Sequence, residues 1–195
     1  DFEDGNLTSA ITTTGTVNLQ VVGAYELIYT VADSSGLSVQ VNRTVNVVDT
    51  TIPVITLTGD ATVTHEGSTA YTDEGAGWTD TVDGSGTLTA SGTVDVNTVG
   101  TYILTYDYTD AAGNAAVQVS RAVNVVDTTI PVITLTGDAM VTHEGATAYT
   151  DAGAGWTDTV DGSGTLTASG TVDVDTVGTY ILTYDYTDAA GNAAV

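Results

Sequence analysis

Along 101–109 apolar and polar side chains alternate: Tyr102, Leu104, Tyr106 and Tyr108 fall on one side, and Thr101, Thr105, Asp107 and Thr109 on the other. A period of two places alternate residues on opposite faces of a sheet, so this run predicts a central strand with one buried face. Carrying the same reading in both directions gives seven short strands, at 53–58, 62–65, within 76–80, 87–90, 93–96, 101–109 and 115–125. Pro53 opens the first, where its missing N–H costs little. Leu88 with Ala90, and Val94 with Val96, take the inward phase of their strands. Val117, Val119, Val123 and Val125 share one phase of the last strand, and Arg121 falls in it too. No window shows a helical period, and Gly, Asp, Asn and Ser clusters punctuate the chain every eight to twelve residues. That spacing predicts an all-β sandwich.

The pattern then returns. Val48-Asp49-Thr50-Thr51-Ile52-Pro53-Val54-Ile55-Thr56-Leu57-Thr58-Gly59-Asp60 recurs word for word from Val126 to Asp138, 78 positions on. Residues 48–117 and 126–195 differ only at Thr62/Met140, Ser68/Ala146, Glu74/Ala152 and Asn97/Asp175. Gly15, Gly23-Ala24-Tyr25 and Asp33-Ser34-Ser35-Gly36 align with Gly92, Gly100-Thr101-Tyr102 and Asp110-Ala111-Ala112-Gly113. The expected organisation is therefore the later part of a diverged repeat (1–47), a complete repeat (48–125), and a repeat lacking most of its last strand (126–195). The sequence reads as a window of a longer array.

A unit this small is near the lower limit for a self-sufficient core and usually needs disulfides, a metal or neighbours. Cysteine is absent, which removes disulfides. Lysine is absent too, and Arg43 and Arg121 face 25 acidic residues, for a formal charge of −23. Such a surface cannot neutralise phosphates or settle on an anionic bilayer, so neither nucleic acid nor membrane is expected as a partner. The self-repulsion of each repeat calls for bound cations or ambient salt. No apolar run approaches the roughly 18 residues of a membrane span.

Four motifs resemble a known family: the linker Asp49-Thr50-Thr51-Ile52-Pro53-Val54-Ile55, the acidic Asp4-Gly5-Asn6-Leu7-Thr8, the Gly100-Thr101-Tyr102 start of the central strand, and Thr109-Asp110-Ala111-Ala112-Gly113-Asn114. Together they make the chain similar, over essentially its whole length, to the bacterial immunoglobulin-like repeat of long surface proteins and of an accessory region of an insecticidal crystal toxin. The resemblance implies tandem immunoglobulin-like β-sandwiches of about seven strands each, set end to end as an extended rod outside a bacterial cell. It specifies a fold far better than a function, because such repeats serve as spacers in many settings. The later copies depart from the pattern, with Asp83-Gly84-Ser85-Gly86-Thr87-Leu88 where the first has Asp-Gly-Asn-Leu.

Strand counting brings the linker, the loop after 62–65 and the turn after 101–109 to one pole. Asp49, Glu66 and Asp110, with Asp107, are then expected where a repeat meets its predecessor, and Asp80 and Asp83 of the preceding unit face them. The equivalents are Asp127, Glu144, Asp185 and Asp188 in the last repeat and Asp33 in the first. Oxygen-only ligands on loops are what Ca²⁺ accepts, so calcium between repeats is one reading. The other is purely local: Asp49 caps the linker turn, and Asp110 with Asn114 closes a hairpin.

His65 and His143, one per repeat and without cysteine, make a poor zinc site and are expected at loop or core edges. Arg43 and Arg121 are expected to be held by carboxylates across the sheet. Trp78 and Trp156 read as core fillers and Tyr102 as a tyrosine corner. Asn6-Leu7-Thr8 and Asn42-Arg43-Thr44 fit the glycosylation sequon but have no counterparts in the later repeats.

No nucleophile–base pair, phosphate loop or acid dyad is visible. The expected role is a non-enzymatic, extracellular spacer whose partners are its own neighbouring repeats. Two alternatives stand beside it: a filament or surface-layer subunit that contacts identical chains, and a carbohydrate-binding module built on Trp78 and the tyrosines.

Overall fold

A computed structural model describes residues 3–195, and its regular structure is almost wholly β. The first repeat contributes one short 3-10 turn, Thr8–Ala10, and the strands β1 (Thr12–Thr14), β2 (Gly23–Ala32) and β3 (Ser38–Val47). The middle repeat contributes β4 (Val54–Leu57), β5 (Thr62–Glu66), β6 (Ala76–Asp80), β7 (Gly84–Leu88), β8 (Gly100–Tyr106) and β9 (Val119–Val126). The last contributes β10 (Val132–Leu135), β11 (Ala154–Asp158) and β12 (Gly162–Leu166). They form four three-stranded sheets, ordered β1-β2-β3, β4-β6-β7, β5-β9-β8 and β10-β11-β12.

The chain divides into two compact units whose borders do not follow the repeats: Asp1–Thr58, Gly75–Thr89 and Tyr106–Val119 in one, and Gly59–Glu74, Ala90–Thr105 and Ser120–Val195 in the other. The first unit holds the β1-β2-β3 and β4-β6-β7 sheets. In it the β6–β7 hairpin is closed by Asp80, whose Oδ1 accepts the backbone N–H groups of Val82 and Asp83 at 2.7 and 3.0 Å. Gly84 follows at φ +88°, a left-handed position that suits glycine. This closure starts β7 at Gly84 and not at the expected residue 87.

The second unit contains the best-defined core. Leu104, Val123 and Val125 are buried together, with Tyr71, Ala90, Val94 and Tyr102 packed around them. Within β9 the valine phase carries Arg121 inward, and its guanidinium pairs with Asp73 while Nε donates to the Asp60 carbonyl at 2.9 Å. The expected carboxylate partner is present. Arg43 differs: it is exposed and lies 5.5 Å above the Tyr29 ring.

β5 is not in the sheet of β4 but pairs in parallel with β9, from Thr62↔Ala122 to Glu66↔Val126. Two strand expectations change. Residues 93–96 form no strand, although Val94 still packs on the core, because the Ser91↔Thr105 contact is only an isolated bridge. The last strand begins at Val119 after a separate Thr109↔Ala115 bridge, which leaves Val117 73 % exposed and outside the buried phase.

Val63–Glu66 lies in β5 and is held by β9, whereas the same four residues at Val141–Glu144 form no strand.

Candidate metal centre

The linker 49–51, the β6–β7 loop and the turn at 110–114 converge within one repeat. Carboxylate oxygens of Asp49, Asp83 and Asp110 lie within 4.8 Å of one another, as do those of Asp127, Asp158 and Asp188 in the next copy. Asp49 folds back on the linker, its Oδ1 accepting the N–H and hydroxyl of Thr51 at 3.0 and 2.7 Å. Thr51 Oγ1 also reaches Asp80 Oδ2 at 3.2 Å. Asp110 accepts the Asn114 N–H on Oδ1 and the Asn114 amide on Oδ2, both at 2.7 Å. The same amide group lies 3.4 Å from the Asp49 carbonyl, so Asn114 joins the turn to the linker. Asp83 Oδ2 accepts the N–H of Ala111 at 2.7 Å.

These bonds make the local reading true as far as it goes: Asp49 caps and Asp110 closes. One atom falls outside it. Asp49 Oδ2 is buried without a hydrogen-bond partner, and Asp127 Oδ2 repeats this in the second cluster, on residues 9 % and 7 % exposed. A buried carboxylate oxygen is costly to leave bare, and the same atom is bare in both near-identical copies.

The electrostatics agree. Burial alone would raise the Asp110 carboxyl, but the Asn114 side chain and backbone outweigh it and hold it below the usual range, keeping it ionised. Asp188 is held down in the same way by Asn192. The N–H groups of Asp83 and Val82 depress Asp80. The neighbouring Tyr108 phenol is pushed up by burial and by the charges of Asp83, Asp110 and Asp80. Of the two arginines in the sequence, Arg121 is engaged by Asp73 and Arg43 by Tyr29, so neither neutralises the clusters.

Ca²⁺ takes six to eight oxygen ligands at about 2.4 Å, and each triad would supply three of them from carboxylates. The all-oxygen donor set on loops suits Ca²⁺ better than softer metals. Asp49 and Asp127 would each offer the bare Oδ2, with Asp110 and Asp188 opposite. The third position differs, being Asp83 in one cluster and Asp158, the equivalent of Asp80, in the other. Asp161, the equivalent of Asp83, still accepts the N–H of Ala189 at 2.7 Å.

The remaining sequence candidates lie elsewhere. Glu66 accepts the N–H and hydroxyl of Thr128, at 3.0 and 2.7 Å, and so faces the following linker. Asp107 is exposed and accepts Gln118 Nε2 at 2.8 Å; Asp185 and Glu144 are exposed. In the first repeat Asp33 accepts the Leu37 N–H at 2.8 Å, and Asp4 accepts the Ser34 N–H at 3.0 Å. Asp4 thus repeats the bond of Asp83 to Ala111, despite the different loop sequence. His65 is committed to its own loop, with Nε2 3.0 Å from the Thr69 carbonyl and its ring edge-on to Tyr71; His143 repeats this. Thr51 is not among the sequence candidates, and Asn114, expected only as a turn residue, also reaches the linker. Their signal was weak, because threonine is everywhere in the chain and Asn114 reads as an ordinary turn residue.

Trp78 is half-buried, not a core filler. Its indole stacks on Tyr108 and presses on Gly86, where a Cβ would come within 2.6 Å of Nε1. Tyr102 donates its hydroxyl to the Thr98 carbonyl at 2.8 Å, which fits the expected corner.

An all-β chain of tandem copies, with paired carboxylate clusters and no buried reactive centre among the described residues, defines an immunoglobulin-like structural domain. A family model described as bacterial surface protein, Ig-like domain, matches residues 1–47, 55–125 and 133–195. The chain belongs to this family, and is thereby a structural domain of a bacterial surface protein. Comparison with curated proteins finds no match. No helix among the described residues is long and apolar enough to cross a membrane.

Proposed function

We propose that this segment is an extracellular spacer in which each repeat adds length, and that Ca²⁺ held by the Asp49/Asp83/Asp110 and Asp127/Asp158/Asp188 clusters stiffens it. The observation that carries the reading is the bare, buried Oδ2 of Asp49, repeated at Asp127. Each cluster ties the incoming linker to two loops of the repeat that the linker enters. A cation there would fix the direction in which the repeat leaves its predecessor. The reading assigns no catalytic role: apart from the bare Oδ2 atoms of Asp49 and Asp127, the buried polar side chains among the described residues serve in ion pairing, capping and turn closure.

The test is thermal unfolding and small-angle scattering of the chain with Ca²⁺ and with chelator at physiological salt. Calcium at a hundredfold above Kd stabilises by about 2.7 kcal/mol per site. That is a rise in Tm on the order of 10 °C for a repeat of this size. Adding one further 78-residue copy lengthens the maximum dimension by about 25–35 Å, the span of a 7–9-residue strand plus its joint. An unchanged Tm removes the metal; an unchanged maximum dimension removes the spacer.

A further inference from the structure

Three consecutive linker residues face alternate ways. Asp127 and Thr129 belong to the repeat that follows: Asp127 Oδ1 accepts the Thr129 N–H and hydroxyl at 3.2 and 2.9 Å, Thr129 Oγ1 reaches Asp158 Oδ2 at 3.2 Å, and Asn192 donates to the Asp127 carbonyl at 3.2 Å. Thr128, between them, belongs to the repeat that precedes. Both its donors go to the Glu66 carboxylate, the N–H at 3.0 Å and the hydroxyl at 2.7 Å. Gly67 adds its N–H to the Val126 carbonyl at 2.7 Å. It also lies so close to Val160 that an added Cβ would sit 3.1 Å from a valine methyl. The Glu66-Gly67 corner is itself braced, since Thr69 Oγ1 donates to the Glu66 carbonyl at 2.6 Å and stands 3.1 Å from His65 Nε2.

We propose that Glu66 is a positioning residue for the metal site of the next repeat. By gripping Thr128 it presets Asp127 and Thr129 against Asp158 and Asp188, so that closure of this grip and cation binding favour each other. Linkage makes the effect reciprocal: whatever fraction of affinity the grip supplies, the cation returns as tightening of the joint. The proposal rests on the calcium reading above. It adds that rigidity passes from one repeat to the next through a side chain that is not a ligand.

The molecule contains its own reference, since the Asp49 cluster is made without Glu66. Calcium titration calorimetry would be run on D49A, which keeps the Asp127 cluster, and on D127A, which keeps the Asp49 cluster, each with and without E66Q or T128V. The expected result is that E66Q weakens the Asp127 cluster by about 5- to 20-fold, within the usual range of coupling between sites. T128V, which leaves the Glu66 charge in place, weakens it in the same direction by a smaller factor. Neither alters the Asp49 cluster. Hydrogen exchange at the Thr128 amide slows on adding Ca²⁺ to the unsubstituted chain and responds less in E66Q. Equal affinities with and without both substitutions would overturn the proposal and leave calcium binding standing. Loss in E66Q with none in T128V would overturn it by reducing Glu66 to a distant charge. Absence of any calcium binding in the unsubstituted chain would overturn both this proposal and the reading beneath it.

Discussion

Trp78 and Tyr108 lie face to face, with ring centroids 3.9 Å apart and planes 17° from parallel, beside the carboxylates of Asp83 and Asp110. Trp156 and Tyr186 repeat the pair at 4.0 Å and 16°. The indole reaches this position because its cross-strand partner is Gly86, which has no side chain to hold it off.

Substitution G86A should therefore displace the indole, since the new methyl would fall within 2.6 Å of Nε1 and 2.9 Å of Cε2. The expected cost is about 1–3 kcal/mol, as for other overpacked sites. Near-UV circular dichroism of the Trp–Tyr pair and the denaturation midpoint both report it; an unaltered aromatic signal would show that the stack tolerates a Cβ.

Arg121 is 1 % exposed and paired with Asp73, so R121A leaves a carboxylate behind without its counter-charge. Breaking such a pair from one side costs about 3–5 kcal/mol, whereas replacing both partners with apolar groups of similar volume is often neutral or stabilising. Chemical denaturation should rank R121A below the double substitution R121M/D73L. The reverse order would mean that the pair contributes more than relief of its own burial.

The two clusters should count as two cations per chain. Equilibrium dialysis or calorimetry is expected to find two equivalents of Ca²⁺ in the unsubstituted chain, one in D49A or D127A and none in the double variant. Retention of both equivalents in D49A/D127A would place the metal elsewhere.

In the last repeat Tyr184 donates its hydroxyl to Asp151, and this bond, then burial, then the Asp151 charge push the phenol up to about 12. A raised pKa stabilises the folded state in full below the ordinary phenol value and loses that contribution as pH climbs through about 12. Absorbance titration at alkaline pH should show D151N bringing one of the late-ionising tyrosines back toward the ordinary range. No change in the titration would separate Tyr184 from Asp151.

Much of this was legible residue by residue. The alternation Tyr102, Leu104, Tyr106 forecast β8, and the phase that carried Arg121 inward also forecast a buried cation needing a carboxylate. That Asp49 and Asp110 come together was readable because their turns carry them in a fixed local geometry. Glu66 and Asp83 were named but misplaced. Glu66 was expected at the preceding joint and grips Thr128 of the following one, and Asp83 was expected from the preceding unit but joins Asp49 and Asp110 of its own repeat. Placement depends on which loops the sheet topology brings together. Periodicity gives the faces of a strand but not its partner.

The parallel pairing of β5 with β9 also sets how the middle repeat meets tension. β9 runs directly into the following linker, and β5 follows soon after the preceding one, so a pull along the chain drags the two strands in opposite directions along their length. The hydrogen bonds between Thr62–Glu66 and Ala122–Val126 are then sheared all together and cannot be peeled one by one. A segment tethered at both ends would yield abruptly, at a high load, and not by gradual unravelling.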